Sequence, residues 1–198
     1  GRIRCHLAWI EGLSMTVSGF RLLRRIAAPL VFFFVSMSAA SAADQPIDAF
    51  HGRYQGSGIA ENRDSLYFGV TVRDLDVVIG PEGTGFFVQW TSVIRSGGDP
   101  ASPKIKRRTQ RMSFVPVPSG RMFIAQGSQN PTGDGYAWAR IAEQTLTVNV
   151  MRIGGDGGYS VQTYDRTLTG TGISLKFVNV TNGEPTREVS ARLVQTSN

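Results

Sequence analysis

Cysteine and histidine are almost absent from this chain of 198 residues. Its single cysteine is Cys5, and its two histidines are His6 and His51. A domain that begins after residue 43 therefore forms no internal disulfide and lacks the Cys/His sets that hold zinc. We predict neither a metal site nor a cofactor.

Catalytic constellations are also missing. No Gly-x-Ser-x-Gly elbow accompanies His51. Asp74 and Asp76 flank Leu75 and are expected to point outward from a strand, where they would be solvated. The sequence nominates no catalytic residue, and we predict that the protein is not an enzyme.

The apolar run Ile26–Val35 is about half of the length that a bilayer-spanning helix needs. Arg21, Arg24 and Arg25 precede this run, and the small-residue stretch Ser36–Ala43 follows it. A basic start, an apolar middle and a small-residue exit are the three parts of a secretory signal.

We therefore divide the chain into three parts. We expect residues 15–43 to be a signal peptide that is cleaved between Ala42 and Asp44, and residues 1–14 to be an upstream over-extension of the reading frame. We expect residues 44–198 to form one exported domain, periplasmic or secreted, with no integral membrane segment after cleavage.

The positive charge belongs largely to the part before residue 44. The whole chain is +6, but five arginines and one glutamate precede that residue. The remaining 16 lysines and arginines face 14 acids, a net charge of +2. Because a nucleic-acid-binding domain is usually strongly basic, we predict no nucleic-acid partner.

Short runs of alternating apolar and polar residues fill the rest of the chain. In Gly85–Arg95, the side chains of Phe86, Val88 and Trp90 fall on one face. The same period of two, which half-buried strands require, recurs in Gln144–Arg152, Gly172–Thr181 and Thr186–Gln195. No sustained period of 3.6 residues appears after the signal.

Turn signals separate these runs. Asn182-Gly183 is a strong hairpin signal, since a type I′ turn needs positive φ at both central residues. From residue 135 to the end, five runs follow one another through tight turns, as in an antiparallel meander. In the first half, strands are predicted at Gly52–Ile59, Leu66–Arg73 and Leu75–Ile79, with a turn over Gly80–Gly85.

The fold class predicted from this pattern is all-β. We expect an antiparallel up-and-down meander, closed or nearly closed into a barrel of about 8–10 strands.

The segment Phe50-His51-Gly52-Arg53-Tyr54 resembles the opening of lipocalin and wider calycin barrels. In that family a Gly-x-Trp motif begins the first strand, and an arginine near the last strand packs across the ring. Tyr54 stands at the tryptophan position, with Arg187 or Arg192 as the arginine. The resemblance implies a meander barrel with an internal cavity for small apolar ligands.

Aromatic residues and arginines share several predicted strand faces. Trp90 alternates in phase with the apolar residues of its strand, and Trp138 and Tyr164 each have an arginine two residues further along the chain. Such a face can hold a carboxylate or phosphate group. We predict that a small amphiphilic or apolar molecule binds inside the barrel, against Tyr54, Trp90, Trp138, Arg140, Tyr164 and Arg166.

A basic run supports an alternative function. Its members are Lys104, Lys106, Arg107, Arg108 and Arg111. They could meet an acidic partner or an anionic lipid surface, or they could be a solvated edge strand whose charges prevent aggregation. The alternative is a non-catalytic envelope interaction module, a scaffold or an inhibitor, with a solid barrel core and a protein partner at the Ser96–Arg111 loop region. The volume of the barrel interior discriminates between the two functions.

Overall fold

The computed structural model describes residues 43–62, 70–96, 104–118, 122–127 and 129–197. These residues belong to one compact unit. The predicted over-extension, residues 1–14, and nearly all of the predicted signal peptide lie outside the described residues.

The described residues form ten antiparallel strands that close into a barrel. Each strand pairs with the next along the chain, and the last strand pairs with the first. The all-β meander barrel predicted from the sequence is confirmed. A short 3₁₀ turn, Ile47–Phe50, precedes the strands. The strands are β1 (Gly52–Asn62), β2 (Val70–Glu82), β3 (Gly85–Ser96), β4 (Lys104–Pro116), β5 (Met122–Ala125), β6 (Tyr136–Ala142), β7 (Thr145–Ile153), β8 (Tyr159–Thr169), β9 (Gly172–Thr181) and β10 (Glu184–Ser197).

One boundary differs from the prediction. Val70–Glu82 is a single strand rather than two, because its pairing with β1 and β3 continues in one register through Arg73, Asp74 and Leu75. The predicted turn over Gly80–Gly85 is also shorter, since β2 continues to Glu82 and only Gly83 and Thr84 form the turn.

One end of the barrel is solid. Phe50, from the 3₁₀ turn, is fully buried there, and its carbonyl accepts a hydrogen bond of 2.8 Å from the hydroxyl of Tyr54. The ring of Phe86 stacks on Phe114 at 5.1 Å and meets Phe123 edge-on at 5.0 Å. Aromatic side chains and the N-terminal segment therefore fill this end, which we call the closed end.

The arginine expected across the ring of Tyr54 is not there. Arg192 is exposed on the outer face of β10, and Arg187 lines a cavity that Tyr54 does not line. Tyr54 is held instead through its hydroxyl, so this part of the lipocalin resemblance is wrong.

The hairpin at Asn182-Gly183 has the backbone that the sequence predicts. Its φ angles are 51° and 90°, both positive. Gly183→Val should lower the free energy of unfolding by about 1 kcal/mol or more, because a β-branched residue resists positive φ. The neighbourhood of Gly183 is open, since a Cβ added there would lie 3.9 Å from the nearest atom, and the expected loss is therefore backbone strain.

The matched control for this hairpin is Gly170→Val in the β8–β9 turn. A Cβ at Gly170 meets no atom within 4 Å, and this glycine is not among those with positive φ. Denaturant unfolding of both variants compares them, and equal losses would contradict the assignment of the turn.

Candidate ligand-binding site

The end of the barrel opposite the closed end is hollow. A cavity of about 140 Å³ lies among side chains from β2, β3, β4, β7, β8, β9 and β10. Its wall includes a patch of aromatic and aliphatic side chains together with five arginines. The interior therefore has a solid half and a hollow half, whereas the alternative function assumed a solid core throughout.

Three aromatic rings form one wall of the cavity. The rings of Trp90 and Tyr164 lie 5.1 Å apart, and those of Tyr164 and Phe177 lie 4.7 Å apart. Tyr164 and Phe177 are directly paired across β8 and β9, while Trp90 reaches them from β3. The hydroxyl of Tyr164 donates to Oε1 of Gln162 at 3.1 Å, so the polar tip of this ring has a partner at the cavity wall.

Arg166 is the most deeply buried charged residue of the wall. Its side chain is 1% exposed, and its Nε and Nη1 atoms have no hydrogen-bond partner among the described residues. The guanidinium carbon lies 5.6 Å from the ring centre of Trp90 and 5.4 Å from that of Tyr164. Burial lowers the pKa of Arg166 to about 10, which still leaves it charged at neutral pH.

The alternation of β8 explains why the neighbouring acid in the chain does not pair with this arginine inside the barrel. Tyr164 and Arg166 point inward, while Asp165 between them points outward and accepts a hydrogen bond of 2.7 Å from the hydroxyl of Thr147. The acid nearest in the chain thus lies on the other face of the sheet. A buried guanidinium without a hydrogen-bonded partner is energetically costly.

Four further arginines surround the mouth of the cavity. They come from four different strands: Arg73 from β2, Arg108 from β4, Arg152 from β7 and Arg187 from β10. No aspartate or glutamate is among the described residues that line the cavity. The cavity therefore carries a concentrated positive charge.

The pKa shifts show that these arginines act on common neighbours. Burial lowers the pKa of Arg73, and the positive charge of Arg187 lowers it further. Burial raises the pKa of Tyr164, while Arg166, Arg152 and two more arginines of the wall oppose this rise. Four positive charges act on the hydroxyl of Tyr164 and favour its ionised form. The same charges would favour an anion bound at this place.

The alternation of side chains along each strand explains the positions of the mouth arginines. Each lies two residues from an inward-facing residue of the same strand, as Arg73 does from Leu75 and Arg187 from Val189. Since residues i and i+2 share a face, the inward face continues past the core into arginine at the open end. This signal is present in the sequence, but the prediction missed Arg73 and Arg152.

The predicted ligand site is partly assembled by the structure. Trp90, Tyr164 and Arg166 line the cavity together. Tyr54 also points inward, but it is buried at the closed end and does not line the cavity. Whether these residues bind a ligand stays a prediction.

The placement of Trp138 and Arg140 inside the barrel is wrong. Ala137 and Ala139 are the buried residues of β6, so the residues between and beyond them point outward. Trp138 lies half-buried against the ring of Tyr136 at 5.7 Å on the outer surface, and Arg140 is exposed. Small alanines, rather than the large aromatics, mark the inner face of this strand.

The basic run lies in strand β4 rather than in a loop, and it does not form one surface. Arg108 lines the cavity, whereas Arg107 is exposed on the opposite face of the strand. Nη2 of Arg111 lies 3.2 Å from Oε1 of Glu82, and its guanidinium carbon lies 3.6 Å from the ring centre of Phe87. Lys106 is exposed, and Lys104 is described only through its backbone. Residues 97–103 of the predicted loop lie outside the described residues.

Metal-binding clusters and membrane-spanning helices are both missing from the part of the chain that the structure describes. Those residues contain no group of three histidine, cysteine, aspartate or glutamate side chains that could hold a metal ion. Nor do they contain a helix long and apolar enough to cross a membrane.

Neither a known protein family nor a curated protein matches this sequence. Among solved structures, the fold is similar to that of an S-type phycobiliprotein lyase from Guillardia theta, with a TM-score of 0.36 and 8% sequence identity. The similarity covers 77% of this chain and 91% of the lyase chain.

Proposed function

We propose that the barrel binds a small, partly apolar molecule that carries an anionic group, with the anion against Arg166. The observation that supports this most strongly is the buried guanidinium of Arg166, whose Nε and Nη1 atoms have no partner among the described residues. A carboxylate or phosphate accepts two parallel hydrogen bonds from a guanidinium, and such charge-assisted bonds are the strong ones. The anion would supply the counter-charge that the cavity wall lacks.

The apolar part of the ligand would lie against the aromatic wall formed by Trp90, Tyr164 and Phe177. The volume of about 140 Å³ is smaller than the roughly 300–1,000 Å³ of a pocket for a drug-sized ligand. It is close to the ~150 Å³ of an engineered cavity that holds one benzene molecule. The cavity would therefore take the head and first atoms of a larger molecule, whose remainder leaves between the mouth arginines.

The mouth arginines would act before the ligand is seated. Guanidinium groups on four strands around one opening attract anions and raise their local concentration. A cationic amphiphile of the same length would be repelled by the same groups. The preferred ligand is thus distinguished by the sign of its charge as well as by its apolar part.

Tryptophan fluorescence tests this function, because Trp90 lies in the cavity and Trp138 lies outside. In a W9F/W138F variant the emission comes from Trp90 alone. Decanoate and decyl phosphate, kept below their micellar concentrations, should shift this emission saturably, whereas decyltrimethylammonium should not. Equal responses to anion and cation, or no saturable response to either anion, would contradict the function.

We also propose that the protein acts outside the cytoplasm, as a periplasmic or secreted protein. The support is the succession of basic, apolar and small residues over residues 21–43. The exported product should begin at Ala43 or Asp44, which N-terminal sequencing determines. A product that retains Phe32-Phe33-Phe34 would contradict the export proposal without affecting the cavity.

A further inference from the structure

Strand β4 lacks a partner along most of one edge. It spans 13 residues and pairs with β3 in one register from Lys104 to Phe114. On its other side, β5 pairs only with Phe114, Val115 and Pro116. Among the described residues, no strand pairs with this side of β4 over residues 104–112.

The backbone direction identifies the groups along this edge. The carbonyl of Ser113 accepts a hydrogen bond of 2.7 Å from the backbone N–H of Gln126, so Ser113 directs its backbone groups to the β5 side. Alternate residues of a strand direct their N–H and C=O groups to the same side. Ile105, Arg107, Thr109 and Arg111 therefore direct theirs into the gap beyond β5, as a template for one more strand.

Gln126 still bonds to β4, but the side chain of Gln129 bonds to β5 and β6, and a groove lies beside β4. Nε2 of Gln129 donates to the carbonyl of Ala125 at 2.7 Å, and its Oε1 accepts from the N–H of Ala137 at 3.1 Å. This side chain therefore bridges β5 and β6. The groove has a volume of about 480 Å³, and its lining includes the apolar side chains of Met112 and Val150 and the carboxylate of Asp134.

The edge is also strongly cationic. Lys106, Arg107 and Arg108 are exposed, and no carboxylate among the described residues lies within 4 Å of their charged groups. Arg111, next along the edge, has its carboxylate partner in Glu82. Cations on a free edge oppose its pairing with the same edge of a second copy. They favour a guest strand that carries acids, because opposite charges on neighbouring strands attract.

We propose that the free edge of β4 binds an extended acidic segment of a partner protein, which adds as a strand in the gap beyond β5. Main-chain hydrogen bonds to Ile105, Arg107, Thr109 and Arg111 would hold the segment. Its acids would lie beside Arg107 on the outer face of the sheet, and apolar residues at alternate positions would enter the groove. Arg107 does not line the cavity and belongs to this edge alone, whereas Arg108 also lines the cavity.

A capped eight-residue peptide with glutamates alternating with valine and threonine tests the proposal on the full chain. Nuclear magnetic resonance should show binding that protects the backbone amides of Ile105, Arg107, Thr109 and Arg111 from exchange. A peptide with lysine in place of glutamate should bind at least about tenfold more weakly. The same loss is expected when the peptide is N-methylated at alternate residues, which removes its edge donors without changing its charge.

Two variants at position 107 separate the contribution of the backbone hydrogen bond to peptide binding from that of the charge. Arg107→Pro removes the charge and one N–H that points into the gap, while Arg107→Gln removes the charge alone. The proline variant should bind the glutamate peptide more weakly than the glutamine variant. No binding of the glutamate peptide, equal binding of the N-methylated peptide, or a dimer of this chain formed through the same edge would each overturn the proposal.

Discussion

Arg166→Met should lower the affinity of the cavity for decanoate by about 10- to 100-fold. The reason is the loss of the charge-assisted hydrogen bonds that the buried guanidinium would donate to the anion. The same substitution should raise the free energy of unfolding of the ligand-free protein by about 1–3 kcal/mol, because a buried donor set without a partner is replaced by an apolar side chain of similar length.

The sign of this stability change follows from the pKa of Arg166. Burial lowers that pKa to about 10, below the usual value of an arginine, so folding disfavours the charged form. At neutral pH the guanidinium is charged, and it opposes folding in the absence of an anion. Loss of function together with gain of stability is the signature of a residue retained for binding.

Arg192→Met is the matched control for this experiment, because Arg192 is exposed on the outer face of β10. It should change neither the affinity nor the stability appreciably. Arg166→Lys keeps the charge but loses the bidentate fork, and we expect an intermediate affinity. If Arg166→Met instead destabilised the protein and left the affinity unchanged, Arg166 would be a structural residue.

Phe86→Ala should lower the free energy of unfolding by about 3–5 kcal/mol. Phe86 is fully buried at the closed end, where its ring contacts Phe114 and Phe123. Its removal leaves a void and also breaks two aromatic contacts, each of which adds roughly 0.5–1.5 kcal/mol. The affinity of the folded fraction for decanoate should not change, because Phe86 does not line the cavity.

Phe87→Ala is the matched control at the next position. Phe87 is half-buried on the outer face, where the guanidinium of Arg111 lies over its ring. Its loss should cost about 1 kcal/mol, the size of a cation–π contact. Denaturant unfolding of both variants measures the difference, and similar losses would show that the closed end is not the packed half of the barrel.

The fold was largely predictable from the sequence because each strand needs one apolar face. The alternation of Phe86, Val88 and Trp90 identified β3, and Asn182-Gly183 identified the last hairpin. Strand lengths were harder to predict, because polar residues also occupy the inward positions near the open end. The alternation of apolar and polar residues that identifies a strand is therefore lost there. For this reason β2 appeared as two shorter strands.

The site was less predictable than the fold. Trp90, Tyr164 and Arg166 are assigned to the interior from strand parity, whereas Trp138 is assigned from the mixture of aromatic residues and arginine on its strand face. In β6 the space inside the barrel is filled by alanines, and the large rings lie outside. The register between strands decides which strand ends meet around one opening. This register cannot be read from the sequence of a single strand.

The mouth arginines illustrate the same dependence on register. Arg73 and Arg187 are 114 positions apart in the chain, yet the charge of one lowers the pKa of the other. No local pattern joins them. They meet because β1 lies between β2 and β10 in the closed barrel.

A crystal structure of the protein with decyl phosphate tests the central claim most directly. We expect phosphate oxygens within about 3 Å of Nε and Nη1 of Arg166, with the first carbons of the chain against Trp90 and Tyr164. A decyl phosphate bound outside the barrel, or a cavity in which Arg166 contacts a protein carboxylate and no ligand, would contradict the account.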